Sequence, residues 1–100
     1  MLNINKTQKG STLTLALEGR LDTITSPELD EVVKEALDGV TELVFDFTEL
    51  QYISSAGLRV LLSAQKKMAK QGSMKILHVN ETIMEIFEVT GFSEILTIEQ

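Results

Sequence analysis

The run Leu43-Val44-Phe45-Asp46-Phe47 limits the fold more than any other stretch of this chain, because it is too short for a helix and apolar at every position but one. A strand with apolar residues on both faces belongs in the middle of a sheet covered on both sides. Helical spacing surrounds it. Upstream, Leu29, Val32, Val33, Ala36 and Leu37 recur on one stripe, with Glu28, Asp30, Glu31, Lys34 and Glu35 elsewhere. Ser26-Pro27 supplies a hydroxyl N-cap and a proline at the first helical position, and Gly39 suits the C′ position at the far end. Downstream, a second helix starts near Ser54-Ser55 and runs to about Gln71, with Leu58, Leu61, Leu62, Met68 and Ala69 on its buried stripe and Gly72 past its end. Met74 to Val79 reads as the next strand. Asn80 caps a third helix bearing Ile83, Met84, Phe87 and Val89, Gly91 ends it, and Glu94 to Ile98 offers a last short strand.

Ahead of these elements, Leu2 and Ile4 alternate with Asn3 and Asn5. After the turn signal Lys9-Gly10-Ser11, Leu13, Leu15 and Leu17 alternate with Thr12, Thr14 and Glu18. That pattern is a β-hairpin, and Gly19 to Thr25 breaks it. Strands that alternate with helices after an opening hairpin make an α/β fold with a mixed sheet.

A chain of 100 residues buries about 65% of its surface on folding, which suffices for one modest core, so a single domain over residues 1–100 is expected. Cys 0 excludes disulfides, a thiol nucleophile and thiolate metal sites; a single His excludes a histidine-rich centre, so no metal is expected. A reducing, cytoplasmic compartment fits. Lys+Arg 9 against Asp+Glu 15, a formal charge of -6, argues against nucleic acid, whose binding needs clustered cations. The N-terminal residues show neither a basic region nor a long apolar stretch, and no run reaches membrane-spanning length, so no membrane insertion is expected. The six glycines form neither Gly-x-Gly-x-x-Gly nor Gly-x-x-x-x-Gly-Lys. No cofactor and no enzyme activity are expected.

The informative segment is Tyr52-Ile53-Ser54-Ser55-Ala56-Gly57-Leu58-Arg59, with two hydroxyls at a strand-to-helix junction followed by small residues. Two readings fit. Ser54 caps the helix and Gly57 permits close packing, or the junction is a phosphorylation or anion site at a helix N-terminus. Asp46, an acid inside an apolar strand, must lie near a strand end or find donors, which makes it structural. His78, at the end of the fourth strand, has no Ser or Asp at a catalytic spacing.

Leu50-Gln51-Tyr52-Ile53-Ser54-Ser55-Ala56-Gly57-Leu58 resembles the signature of the STAS domain, the family of bacterial anti-sigma factor antagonists. Glu18-Gly19-Arg20-Leu21-Asp22 resembles the family's Gly-x-Leu-Asp element, and Leu43 to Phe47 is similar to the strand leading into its serine loop. The resemblance covers essentially the whole chain. It implies a mixed sheet of four to five strands with three to four helices mainly on one face, and a protein-binding regulatory module that acts by partner switching. The unphosphorylated antagonist binds an anti-sigma factor that is also a serine kinase of the ATP-lid type, which frees the sigma factor for transcription. Phosphorylation ends that complex, and a phosphatase restores the antagonist.

By the same resemblance the acceptor falls on Ser55, with Ser54 a second choice standing where the family often has Asp. Ala56 stands where Ser or Thr is frequent and Arg59 where several relatives have glycine, which adds a cation one helical turn from Ser55. Partner contacts are expected from Asp22, Ser54, Ser55, Ala56, Gly57 and Arg59. Asp22 has a second reading, as a turn aspartate bonded to its own backbone. Two other functions stay open: a non-switching STAS subunit packing on the ATPase of a lipid or anion transporter, with Ser55 a mere cap, and a hydrolase using Ser55 as nucleophile without a visible base.

Overall fold

The computed structural model describes residues 2–99; Met1 and Gln100, which the expected 1–100 domain includes, lie outside the described residues. Strands β1 (Leu2–Lys9) and β2 (Thr12–Leu21) form the opening hairpin, antiparallel with Lys9 opposite Thr12. Gly10 turns the chain with φ 61°, a value that suits glycine at the first central position of a two-residue hairpin loop. Helix α1 (Ser26–Ala36) leads to β3 (Glu42–Ile53), α2 (Ser55–Ala69) to β4 (Ser73–Leu77), and α3 (Glu81–Thr90) with the short α4 (Phe92–Ile95) to β5 (Ile98–Glu99). The sheet order is β1-β2-β3-β4-β5, and every pair after the hairpin is parallel.

That order explains where the helices go. Parallel crossovers are right-handed almost without exception, so when strand order follows chain order every crossover lands on the same face. The inward rows across the sheet are Leu13, Leu43 and Met74, then Leu15, Phe45 and Ile76, and all six are buried. Leu29 and Val33 of α1, Leu61, Ala64 and Met68 of α2, and Ile83 and Phe87 of α3 complete the core.

The expectation that Leu43 to Phe47 is covered on both sides is overturned. Its other row reads Thr14, Val44 and Lys75, flanked by Thr12, Glu42 and Ser73, and apart from Val44 these side chains reach solvent. Lys75 holds Glu42 and Glu99 at 3.7 Å and 3.9 Å, so polar side chains and not a second layer cover that face.

Other boundaries move for local reasons. β3 continues past Phe47 to Ile53, and β2 continues through Gly19 to Leu21. Between Ala16 and Arg20 the partner strand advances from Asp46 to Tyr52, so two extra β3 residues are bulged out and the alternation that marks a strand is lost. Ser26 does not cap α1: Thr25 holds that position, and the Ser26 hydroxyl donates instead to the Asp22 carbonyl. The C-cap of α1 is Leu37, with Gly39 two residues later at φ 76°. β4 ends at Leu77, and His78 turns the chain away with φ 61°. Glu94 and Ile95 belong to α4, which leaves two residues for the last strand. Val89 is 80% exposed, whereas Asn80 and Gly91 bound α3 as expected: Asn80 Oδ1 accepts from the Ile83 N–H at 2.8 Å, and Gly91 ends the helix at φ 81°.

Candidate functional site

Parallel pairing of Leu21 with Ile53 brings the C-terminal ends of β2 and β3 side by side, and the Ser54 N–H donates to the Leu21 carbonyl at 2.9 Å. The β2–α1 loop and the start of α2 therefore leave the sheet together, at the strand ends where sites of α/β sheets collect. Ser54 keeps an extended backbone and caps α2. Its Oγ accepts from the Gly57 N–H at 3.4 Å and its carbonyl from the Leu58 N–H at 3.0 Å. Ser55 is then the first helical residue and is exposed. The first turn of α2 holds no acid, while Lys66 and Lys67 lie in its last turn, so the positive end of the helix field stands uncompensated beside Ser55. Arg59 is exposed one turn further on.

Gly57 offers no surface. It is buried, and a Cβ there would stand 2.8 Å from both Ile53 Cγ1 and Leu21 Cγ, so the missing side chain lets α2 rest on the strand ends. Of the expected contact residues, Asp22, Ser54, Ser55, Ala56 and Arg59 reach solvent and Gly57 positions them.

Asp22 is bound into its own loop. Its Oδ1 accepts from the N–H groups of Ile24 and Thr25, each at 3.0 Å, while Thr25 Oγ1 accepts from the Asp22 N–H at 2.9 Å and donates to the Arg20 carbonyl at 2.8 Å. Donation from the Thr25 N–H, against the raising effect of desolvation, holds the Asp22 carboxyl below the ordinary aspartate value. Arg20 lies 4.5 Å above the Tyr52 ring and 3.9 Å from Asp22, a half-exposed pairing that contributes little to stability. Between the starts of α1 and α2, with Thr23 of the loop at its end, runs a cleft of about 290 Å³ lined by Thr23, Pro27, Asp30, Ala56, Arg59 and Val60. Arg20 and Tyr52 lie inside the two family-like segments but carry no expected contact, and neither do Ile24 and Thr25. The one signal for them was the run of hydroxyl residues after Asp22, which satisfies an Asx-type loop.

Asp46 and His78 stand apart from this site. Desolvation pushes the Asp46 carboxyl up, but the Thr48 hydroxyl and N–H and the nearby His78 together hold it below the ordinary value. Among the described residues there is no group of three or more His, Cys, Asp or Glu placed to hold a metal ion, and no helix is long and apolar enough to cross a membrane.

The profile of the STAS domain matches residues 3–100. A Bordetella bronchiseptica protein named BtrV is 32% identical over 88 residues, which span 86% of this chain and 76% of BtrV. The anti-sigma-B factor antagonist of Bacillus subtilis is 26% identical over 98 residues, 97% of this chain and 90% of that protein. Among solved structures, the anti-sigma factor antagonist SpoIIAA in its unphosphorylated form has TM-score 0.76 and 18% identity, covering 100% of this chain and 88% of the other. The phosphorylated form of SpoIIAA, a Bacillus cell fate determinant, has TM-score 0.76 and 19% identity, covering 98% and 92%. At these identities the likeness is one of fold.

Proposed function

The chain belongs to the STAS domain family, and on that premise we propose that it is an anti-sigma factor antagonist that works by partner switching. In its unphosphorylated form it docks an anti-sigma factor through the Asp22 loop and the start of α2, and the sigma factor is released for transcription. The anti-sigma factor is itself a serine kinase. It transfers the γ-phosphoryl group of ATP to Ser55 Oγ, which loses its proton as ADP departs, and the complex ends. A phosphatase hydrolyses the ester and returns the antagonist to use. The protein is a cytoplasmic binding module in this scheme, without cofactor or catalysis of its own.

One observation carries the choice of acceptor: Ser55 presents an exposed hydroxyl at the uncompensated positive end of a 15-residue helix, while the neighbouring Ser54 hydroxyl is engaged as the cap. A phosphate on Ser55 therefore gains from the helix field and leaves the cap untouched.

Incubation with the cognate kinase and ATP, followed by peptide mapping, is expected to place phosphate on Ser55. Ser55→Ala should lose incorporation and Ser54→Ala should keep it. Incorporation that survives in the first variant and vanishes in the second moves the acceptor to Ser54.

A further inference from the structure

Ile24 is 82% exposed, a large apolar side chain in the middle of the loop that borders the proposed docking surface. Exposed apolar residues are common singly, and most mean nothing. This one differs in how it is held. The backbone N–H of Ile24 is bonded to Asp22 Oδ1 at 3.0 Å, the next N–H is bonded to the same oxygen, and Thr25 Oγ1 ties the loop to Asp22 and to Arg20 on β2. Ser26, buried, fastens the far side to the Asp22 carbonyl through both its N–H and its hydroxyl. An exposed loop is thus locked by hydrogen bonds converging on Asp22 and Thr25, with an isoleucine at its tip. Thr23, next to Ile24 in the chain, lines the same cleft as Ala56, next to Ser55, so the loop and the start of α2 border one cleft.

We propose that Ile24 is the apolar anchor of that face, seated in an apolar pocket of the anti-sigma factor, and that Asp22 acts on binding as a positioning residue that holds Ile24 out. The inference rests on the partner-switching reading and names a contact within it. Rigidity makes the anchor effective. An isoleucine on a loop already fixed in place gives up little freedom on docking, and a few residues that fill well-packed pockets carry most of an interface's affinity. The Asp22 carboxylate, by contrast, already has its Oδ1 engaged by two N–H donors and its charge balanced in part by Arg20.

Titration of purified anti-sigma factors encoded in the same genome with wild-type protein and four variants tests both halves, with thermal melting as the control for folding. Ile24→Ser is expected to weaken binding at least about tenfold, and Ile24→Leu to stay within roughly threefold of wild type. Both should melt within a few degrees of it, because the side chain leaves little apolar contact behind. Asp22→Asn keeps an acceptor oxygen for the loop and should bind within about threefold, whereas Asp22→Ala should bind as weakly as Ile24→Ser. Wild-type affinity in Ile24→Ser overturns the anchor, and equal loss in Asp22→Asn and Asp22→Ala overturns the positioning role in favour of a direct charge contact. A wild-type protein that binds none of the anti-sigma factors overturns the partner-switching reading itself, and the anchor with it.

Discussion

Phosphorylated at Ser55, the protein is expected to keep its circular dichroism and its melting behaviour, yet to bind its anti-sigma factor on the order of a hundredfold more weakly. Two terms compete, and their sizes decide. In the free protein the phosphate brings a charge of about -1.5 to -2 to the N-terminus of α2, where the helix field favours it by about 0.3–1 kcal/mol per charge. Nothing in the first turn opposes this, because no acid stands there and Ser55 is exposed, so the group keeps its water. Under a docked partner the same charge loses that water, at a cost of several kcal/mol unless a prepared cation meets it. Arg59, exposed one turn away, is the antagonist's one cation in that helical turn, and it offsets only part of the cost of taking the phosphate out of water. The interface term wins by several kcal/mol, and each 1.4 kcal/mol is a factor of ten. Calorimetric titration of the phosphoprotein, Ser55→Asp and Ser55→Ala should give strong, partial and no loss of affinity in that order. Equal affinities, or a fall in stability that accompanies the lost binding, would remove the mechanism.

How much of this could be read from the chain depended on whether a residue's role was local. The Gly10 turn, the Ser54 and Asn80 caps and the Gly91 terminus each follow from one residue and its immediate neighbours, and each is where the pattern puts it. β3 was half hidden because its two bulges break the period of two: Leu50 and Ile53 are both buried though three residues apart. The open face does not show in the sequence because Val44 looks like a residue under a second layer. It is instead buried within the sheet's own polar rows, between Thr14 and Lys75 in the register. Ser54 and Ser55 were visible because they sit in a contiguous motif. Ile24 is not, since an isoleucine in a threonine-rich loop reads the same whether it turns inward or outward, and only its exposure in the folded chain settles that.

At the opposite end of the strands, Gly72→Ala is expected to lower stability by about 3 kcal/mol while leaving the docking surface untouched. Gly72 joins α2 to β4, and a Cβ added to it would lie inside the van der Waals surface of the Thr41 carbonyl oxygen, with the Thr41 carbonyl carbon and Cα also too close. Those are backbone atoms and cannot rotate aside. The same carbonyl accepts the Ser73 N–H at 2.9 Å, the bond that sets β4 beside β3 where Glu42 opposes Ser73. Relief of the overlap therefore requires the two strand starts to part, which adds a lost hydrogen bond of about 1 kcal/mol to overpacking of about 1–3 kcal/mol. For a domain of 100 residues that corresponds to a melting temperature lower by roughly 12–24 °C. Gly10→Ala is the informative comparison: its Cβ would meet nothing within 4 Å, but its φ of 61° charges an alanine about 1 kcal/mol of left-handed strain. Thermal melts of the two variants should therefore differ at least twofold in their displacement from wild type, with Gly72→Ala the larger. Below its melting temperature Gly72→Ala should bind the anti-sigma factor with wild-type affinity, since Ser55, Ile24 and the cleft all lie beyond the other end of β3. Equal displacements would show that β4 yields to the added methyl without parting from β3. A binding loss at a temperature where the variant is folded would show that the strand starts and the docking face are coupled through β3.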